Sequence, residues 1–436
     1  MKAVVIFAIL SVLLIVGKIL RVKLPVLQRL YLPASVIGGI VGLAALSVFP
    51  GVVAPDIVTG MRSIPGFLIN VIFATLFLGE APPKIKSFAG SVMPQLTLAQ
   101  IVVWGQYAVG IGICGFVLMP LFGVHPAFGN LLEMGFEGGH GTVGGMSQAF
   151  LSKNWPDGLA LGYTLATIGM ICGIGFGMVL INWAYSKGYV NTVQPFSKRS
   201  LSERIGIHER DLRPSAGLQT VASDSVDSLA WHIAIVGVSV LIGWGISLLI
   251  PLEGFPLFPF CMIGGVVLQT VAKIAKVDLL IDREQIQRIS GAALDYLSLA
   301  AVATIQLSVV AQNWMPLTAM AVAGLAWTIF AVIFFSPRMF KDAWFERGIA
   351  EFGQATGVTA TGLLLLRTVD PENKTAAAAA FAGKQLFHEP AMGVWVALAF
   401  AFIFTLGWLK VFLISAAMLA IWTMVAALLI WRNKKK

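Results

Sequence analysis

Long apolar runs separated by short polar turns set the pattern of this chain. A membrane crossing needs about 20 apolar residues. On that basis the runs predict helical spans near 3–20, 30–49, 64–80, 93–123 and 157–185, then a polar stretch. Further spans follow near 228–250, 256–272, 289–312 and 316–336, with a run ending near 408 and a last one at 411–431. That makes about 11 transmembrane helices, and two segments near 126–152 and 343–370 stand apart from them. The first contains Gly135-Phe136-Glu137-Gly138-Gly139-His140-Gly141-Thr142-Val143-Gly144-Gly145. A helix loses roughly 1 kcal/mol for each glycine that replaces alanine, and a glutamate near the bilayer centre costs about 3 kcal/mol. Such a stretch is expected to be broken backbone enclosed by protein, where ions and polar solutes are handled.

Composition narrows the class. With 58% hydrophobic and 12% charged residues, and mean hydropathy +0.86 over 436 residues, the chain reads as an all-α polytopic membrane protein without a sizeable soluble domain. Cys114, Cys172 and Cys261 lie in apolar runs without metal-ligand spacing, so neither a disulfide framework nor a zinc site is expected. The net charge of +9 comes from loops on alternate sides of the runs, which points to topology and not to nucleic acid. Lys187, Lys198, Arg199, Arg204, Arg210 and Arg213 fall in the polar stretch 186–228. Arg21/Lys23/Arg29, Lys84/Lys86, Lys273/Lys276, Arg338/Lys341 and the tail 432–436 share its side, with Lys2 and Lys410 as exceptions. The excess of Lys and Arg in cytoplasmic loops then places the N-terminus outside and the C-terminus inside. The first run has no small-residue cleavage site after it and reads as a retained span. Glu203, Glu209, Asp211, Asp224 and Asp227 make 186–228 a solvated cytoplasmic linker between two halves.

The halves repeat each other. Ser35-Val36-Ile37-Gly38-Gly39-Ile40-Val41 recurs as Cys261-Met262-Ile263-Gly264-Gly265-Val266-Val267, Met93-Pro94 as Met315-Pro316, and Pro156 as Pro371. The glycine-rich segment is answered by residues 350–362, with Phe136 and Gly141 opposite Phe352 and Gly357. Partners are 215 to 226 residues apart. An odd number of crossings per half inverts the second copy, as in many secondary transporters. The expected organisation is a first repeat at 1–185, a linker at 186–228, a second repeat at 229–408, and an extra transmembrane helix with a basic tail at 409–436. Each repeat holds five spans and one re-entrant hairpin, at about 126–152 and about 343–370, the first entering from outside and the second from the cytoplasm.

Gly138-Gly139-His140-Gly141-Thr142 and the Gly/Thr/Ala-rich run from Gly353 to Gly362 resemble the paired signatures of the bacterial sodium/glutamate symporter family. The resemblance extends from about residue 3 to about residue 408. It implies inverted five-span halves with two hairpins, sodium-coupled glutamate uptake with Na⁺ as coupling ion and no other cofactor, a homodimer, and residence in the bacterial inner membrane. The chain departs from the family pattern at Val143, where glycine is usual, at Glu137 before the motif, in the order of glycines and threonines in the second copy, and in the added span 411–431.

Hairpin tips turn amides and carbonyls toward a cavity, the N–H ends favouring carboxylates and the carbonyl ends Na⁺. Gly138, Gly139, Gly141 and Gly357 are therefore expected scaffold positions; the same glycines would also serve close helix packing. The row Gly169, Gly173 and Gly177 reads as packing alone. Gly139-x-Gly141-x-x-Gly144 matches a dinucleotide fingerprint only formally, since no strand precedes it. His140 either bonds the substrate or steadies the hairpin. Glu137 ligates a cation, pairs with His140, or lies at the wet end. Thr142, Thr356, Thr359 and Thr361 offer hard hydroxyl oxygens, with Thr356 and Thr359 expected nearest Na⁺, and Gln354 suits an amide or carboxylate.

Arg367, Lys384, His388 and Glu389 are the candidate partners of a substrate carboxylate or of coupling, ionisable groups inside a span being functional by default. Arg367 falls at the end of the second hairpin, while Lys384, His388 and Glu389 lie deep in a span, or at the interface if that span begins at Pro390. A break at His388-Glu389-Pro390 is expected in either case, since a straight helix over 373–408 would measure about 54 Å. No HExxH pair, serine elbow or Walker loop marks an enzyme. A secondary transporter for glutamate or a related acid leads. A carrier or exporter for another small carboxylate or amino acid comes next, and a channel last.

Overall fold

All regular structure among the described residues is helical. The computed structural model describes residues 2–29, 32–49, 51–79, 88–190, 200–209, 211, 213–249, 255–371 and 374–434. Lys84, Lys86, Lys198, Arg199 and Arg210 of the charge argument, and residues 30, 31, 80 and 250 at the ends of expected spans, lie outside them. In chain order the helices that matter here are α1 (Lys2–Lys23), α2 (Ala34–Val48), α3 (Pro55–Thr75), α4 (Met93–Ile113), α5 (Leu131–Phe136), α6 (Gly139–Gly145), α7 (Ser147–Ser152) and α8 (Asp157–Ser186). After the polar stretch come α9 (Ser228–Leu249), α10 (Phe258–Ile274), α11 (Arg283–Ala303), α12 (Leu307–Gln312), α13 (Trp314–Met339), α14 (Trp344–Val369), α15 (Ala377–Thr405) and α16 (Trp408–Lys434).

Nine helices among the described residues are long and apolar enough to cross a membrane, and α2 and α10 are shorter apolar helices. The expected span 289–312 is instead two helices, α11 and α12, parted at 304–306. Arg283, Glu284, Arg288 and Asp295 keep α11 out of the nine. Helix α3 starts at residue 55, well before the expected 64, because Pro55 sits in the first turn, where its missing N–H costs nothing.

The chain forms two compact units, each drawing on both sequence halves. The first consists of Met1–Pro82, His140–Pro156 and Ser200–Ile305. In it two pairs of helices pack alike. A Cβ built on Gly38 of α2 would lie 2.3 Å from the Leu13 carbonyl oxygen of α1, and one on Gly264 of α10 would lie 2.0 Å from that of Ser239 of α9. Both members of the second pair stand 226 residues after their counterparts. Gly17 and Gly243, also 226 residues apart, approach the same two helices in the same way. Glycine permits this backbone contact because any side chain would collide. α3 and α11 share a core of Ile57, Met61, Leu299, Ala300 and Ala303.

Part of the expected linker belongs to this unit. Lys18 Nζ donates to the carbonyls of Ile205 (3.0 Å) and Gly206 (2.6 Å), Gln285 Nε2 to Leu218 O (2.7 Å), and Thr220 Oγ1 to Leu280 O (2.9 Å). Its backbone carbonyls satisfy donors near the ends of α1 and α11, so this part is a strap and not a free tether. Charge density alone concealed that role.

The second unit comprises Pro83–Gly139, Asp157–Arg199 and Gln306–Lys436. α4 is its axis, buried almost throughout from Gln95 to Ala108. Gly105 admits the indole of Trp327, whose Nε1 donates to Val102 O at 2.9 Å. Gly112 and Gly115 face Phe412 and Trp408, so the added helix α16 covers α4. Gly169 and Gly173 of α8 receive Thr356 of α14, and Gly177 receives Leu365, a packing stripe as its spacing suggests.

Helix α14 is not straight. Gly357 (φ −150°, ψ 36°) and Val358 (φ 63°, ψ 171°) leave helical geometry. A Cβ on Gly353 would lie 2.7 Å from Gly362 Cα, whereas a straight helix separates such residues by roughly 13 Å. The chain therefore doubles back there, with Val358 in a backbone region that essentially only glycine visits, at about 1–3 kcal/mol. Helix α15 runs unbroken from Ala377 to Thr405 with Pro390 inside it, contrary to the expected break at 388–390. Side-chain partners of Lys384 and His388, described below, hold the turns before the proline in place, and other groups can take up the backbone bond it forfeits.

Candidate functional site

Where α14 doubles back, it meets the end of α5. Gly139, with φ +66°, packs so closely that a Cβ there would stand 2.4 Å from Val358 Cγ1. Glu137 caps the C-terminus of α5, where the amides of Glu137 and Gly138 both bond the Glu133 carbonyl. α15 runs past this junction with Lys384, Gln385, His388 and Glu389 at positions i, i+1, i+4 and i+5, which share one helical face.

A directional chain of hydrogen bonds sets the orientation of His388. Trp104 Nε1 can only donate, and it does so to Gln100 Oε1 at 2.8 Å. The Gln100 amide nitrogen then faces His388 Nδ1 at 3.2 Å, which makes Nδ1 the acceptor. Nε2 is left to carry the hydrogen and donate it to Glu137 Oε1. That oxygen also accepts from Gln354 Nε2 at 3.3 Å. Gln354 in turn exchanges hydrogen bonds with Gln385 (2.6 and 3.2 Å). Thr359 Oγ1 accepts from Gln385 at 3.2 Å and donates to Glu389 Oε1 at 2.9 Å. Glu137, Gln354 and His388 are buried, while Thr359, Gln385 and Glu389 are half-buried, so the cluster has a closed floor and a partly open rim.

Beside it lies a fully enclosed ion pair. Lys384 Nζ stands 2.6 Å from Glu351 Oε1, and both side chains have zero exposure. Gln95 Nε2 donates to Glu351 Oε2 at 2.9 Å and to Arg347 O at 3.2 Å, and the Lys384 ammonium lies 5.1 Å from the Phe381 ring centroid. Tyr107 donates to buried Glu133 at 2.5 Å, one turn before Glu137.

Of the residues expected to act, Glu137, Gln354, Thr359, His388 and Glu389 come together. Gly138, Gly139 and Gly357 form the turns that bring them there. Glu137 pairs with His388 and not with His140, which was one of three roles open to it. His140, Gly141 and Thr142 belong to the first unit, where Gly141 packs on Ile69. Thr356 bonds its own helix at Phe352 O (2.7 Å) and packs on Gly173, and Thr361 stands beside Gly357. Arg367 is exposed and outside the cluster.

Glu351, Gln385, Gln100, Trp104, Gln95, Glu133 and Tyr107 escaped the sequence reading. The signal was present in Gln95, Gln100 and Gln106, three amides in an otherwise apolar run, each of which needs a partner inside the protein. Among the described residues no group of three His, Cys, Asp or Glu side chains could hold a metal ion. The oxygens of Glu389, Thr359, Gln354 and Glu137 are instead the hard donors that suit an alkali cation.

A profile of the sodium/glutamate symporter family matches residues 1–366. The chain belongs to that family. It is also similar to a sodium/glutamate symporter of Haemophilus influenzae, 22% identical over 270 residues, which make up 61% of this chain and 63% of that relative. The match thus spans less than two thirds of the relative's length. The family is one of transporters and not of enzymes, and the apolar helices make this chain a multi-pass membrane protein. The symporter profile stops before α15, the helix that carries Lys384, His388 and Glu389.

Proposed function

We propose that this chain is a secondary active symporter that carries glutamate or a related acidic amino acid inward with Na⁺ by alternating access, and that the cluster at the α14 reversal is where it holds them. The carrying observation is that cluster: acids, amides and a hydroxyl are gathered in an apolar unit where the doubled-back α14 meets the Glu137–Gly139 turn. Polar groups and broken backbone at such depth are costly unless they handle a solute. Residues 343–370 are read as one re-entrant hairpin, supported by the reversal at 357–358, and 126–152 as its counterpart. The 226-residue recurrence of packing supports inverted halves at 1–185 and 229–408. A homodimer in the bacterial inner membrane, with the N-terminus outside and the C-terminus inside, completes the proposal.

Within it the roles follow from chemistry. Lys384 is committed to Glu351 and Arg367 is exposed, so a substrate carboxylate falls to the amides of Gln354 and Gln385, the Thr359 hydroxyl, and the N–H end of the helical half that restarts after Val358. Na⁺ falls to oxygens around Thr359 and Glu389. The test is purified protein in liposomes under an inward Na⁺ gradient, offered labelled glutamate, aspartate, citrate and lysine. Glutamate or aspartate is expected to accumulate and to stop doing so when K⁺ replaces Na⁺. Glutamate uptake indifferent to Na⁺ would refute the coupling, and voltage-driven current without saturable uptake would point to a channel.

A further inference from the structure

We infer that the second carboxylate oxygen of Glu137 is the site's acceptor for a small monovalent cation, either the ammonium group of the transported solute or Na⁺. The inference rests on the proposed function and assigns a partner to one atom of that site. Glu137 Oε1 is fully engaged by His388 and Gln354, with the direction of the His388 bond fixed from behind by Gln100 and Trp104. Oε2 is buried and has no hydrogen-bond partner among the described residues, in a residue only 8% exposed. A buried carboxylate oxygen without a donor is expensive, and nothing in the cluster offers a remaining charge to it. The Lys384 ammonium is held by Glu351, while Glu133 and Glu389 add further carboxylates.

The backbone reinforces the sign. Glu137 stands at the C-terminal end of α5, and the first half of α14 ends at Gly357, next to the residue that touches Gly139. Helix C-termini present carbonyl oxygens and partial negative charge. Two such ends and an unpartnered carboxylate oxygen favour a cation at Glu137, while the N–H end that restarts after Val358 remains for the substrate carboxylate. A plain dicarboxylate gains nothing from Oε2, whereas an amino acid does.

The test is Glu137→Gln in liposomes, a substitution that keeps an oxygen facing His388. If the partner is the ammonium group, the apparent KM for glutamate rises roughly tenfold or more and the preference for glutamate over glutarate, which lacks the amine, is lost. Half-saturation by Na⁺ is then unchanged. If the partner is Na⁺, its half-saturation rises by a similar factor and the glutamate–glutarate preference survives. Neither constant moving by more than about twofold overturns the inference. Should the variant fail to insert, the wild-type chain answers through a hydrophobic carbodiimide, which attacks acidic groups in apolar surroundings. Labelling mapped by peptide mass to Glu137 should be slowed by Na⁺ or by glutamate. Absence of labelling, or labelling that neither slows, overturns the inference. A wild-type chain that takes up no glutamate would refute the proposed function instead, and protection by Na⁺ alone would still bear on Glu137.

Discussion

Alanine at Gly139 slows transport about tenfold or more, and trimming Val358 to alanine in the same chain restores most of it: this is the outcome expected from the junction between α5 and α14. A Cβ at residue 139 would stand 2.4 Å from Val358 Cγ1 but 3.9 Å from Val358 Cβ. The first distance is an overlap that must push the two turns apart. The second is ordinary contact, so removing the valine methyls removes the collision. Alanine at φ +66° also carries a backbone cost of about 1–2 kcal/mol, which the second substitution does not relieve. Because Glu137 lies two residues from the collision, parting the turns also draws Glu137 from His388 and Gln354. Initial uptake rates should fall about tenfold or more in Gly139→Ala, change little in Val358→Ala, and recover in the double variant, with similar amounts of protein in the membrane. A double variant no better than Gly139→Ala would show that the contact is not what the site depends on.

Neutralising Lys384 alone has the largest expected effect on stability. The ammonium and the Glu351 carboxylate are fully enclosed, and among the described residues Gln95 is the other side chain that bonds that carboxylate. Breaking a buried pair by removing one partner leaves an uncompensated charge, at about 3–5 kcal/mol. Replacing both partners by apolar residues of similar volume is often close to neutral. Lys384→Met should therefore lower the melting temperature of detergent-purified protein markedly, and Lys384→Met with Glu351→Leu should recover most of the loss. If the double variant also keeps Na⁺-driven uptake, the pair is a structural counter-ion bridge between α14 and α15, as assigned above. If stability recovers while uptake is lost, the ammonium does more than balance Glu351.

What could be read in advance follows from the range of the forces involved. Apolar runs are local, so most spans were legible, and α1, α8, α9 and α16 begin and end within a few residues of expectation. The expected span 289–312 ran across α11 and α12 because no proline or glycine marks their parting at 304–306. The doubling back of α14 was legible because Gly353, Gly357 and Gly362 weaken a helix wherever they occur. The continuity of α15 through Pro390 was not, since it depends on partners elsewhere in the chain. The same holds for the site. Glu137, Gln354 and Thr359 announced themselves as polar residues among glycines, but Glu137 meets His388 across 251 positions and Gln100 meets His388 across 288. Sequence spacing offered His140, three residues on, as one partner for Glu137, and tertiary packing chose His388.

In the proposed function the junction of α14 with the Glu137–Gly139 turn holds the solute and opens to each side of the membrane in turn. Thr359→Cys, on the half-buried rim, tests it most directly once Cys114, Cys172 and Cys261 have been replaced by serine or alanine. A membrane-impermeant thiol reagent, added from either side of oriented vesicles, should label residue 359 from both. Glutamate together with Na⁺ should slow the labelling, and neither alone should do so as strongly. Labelling that ignores both solutes, or that never occurs from one side under any condition, would contradict the account.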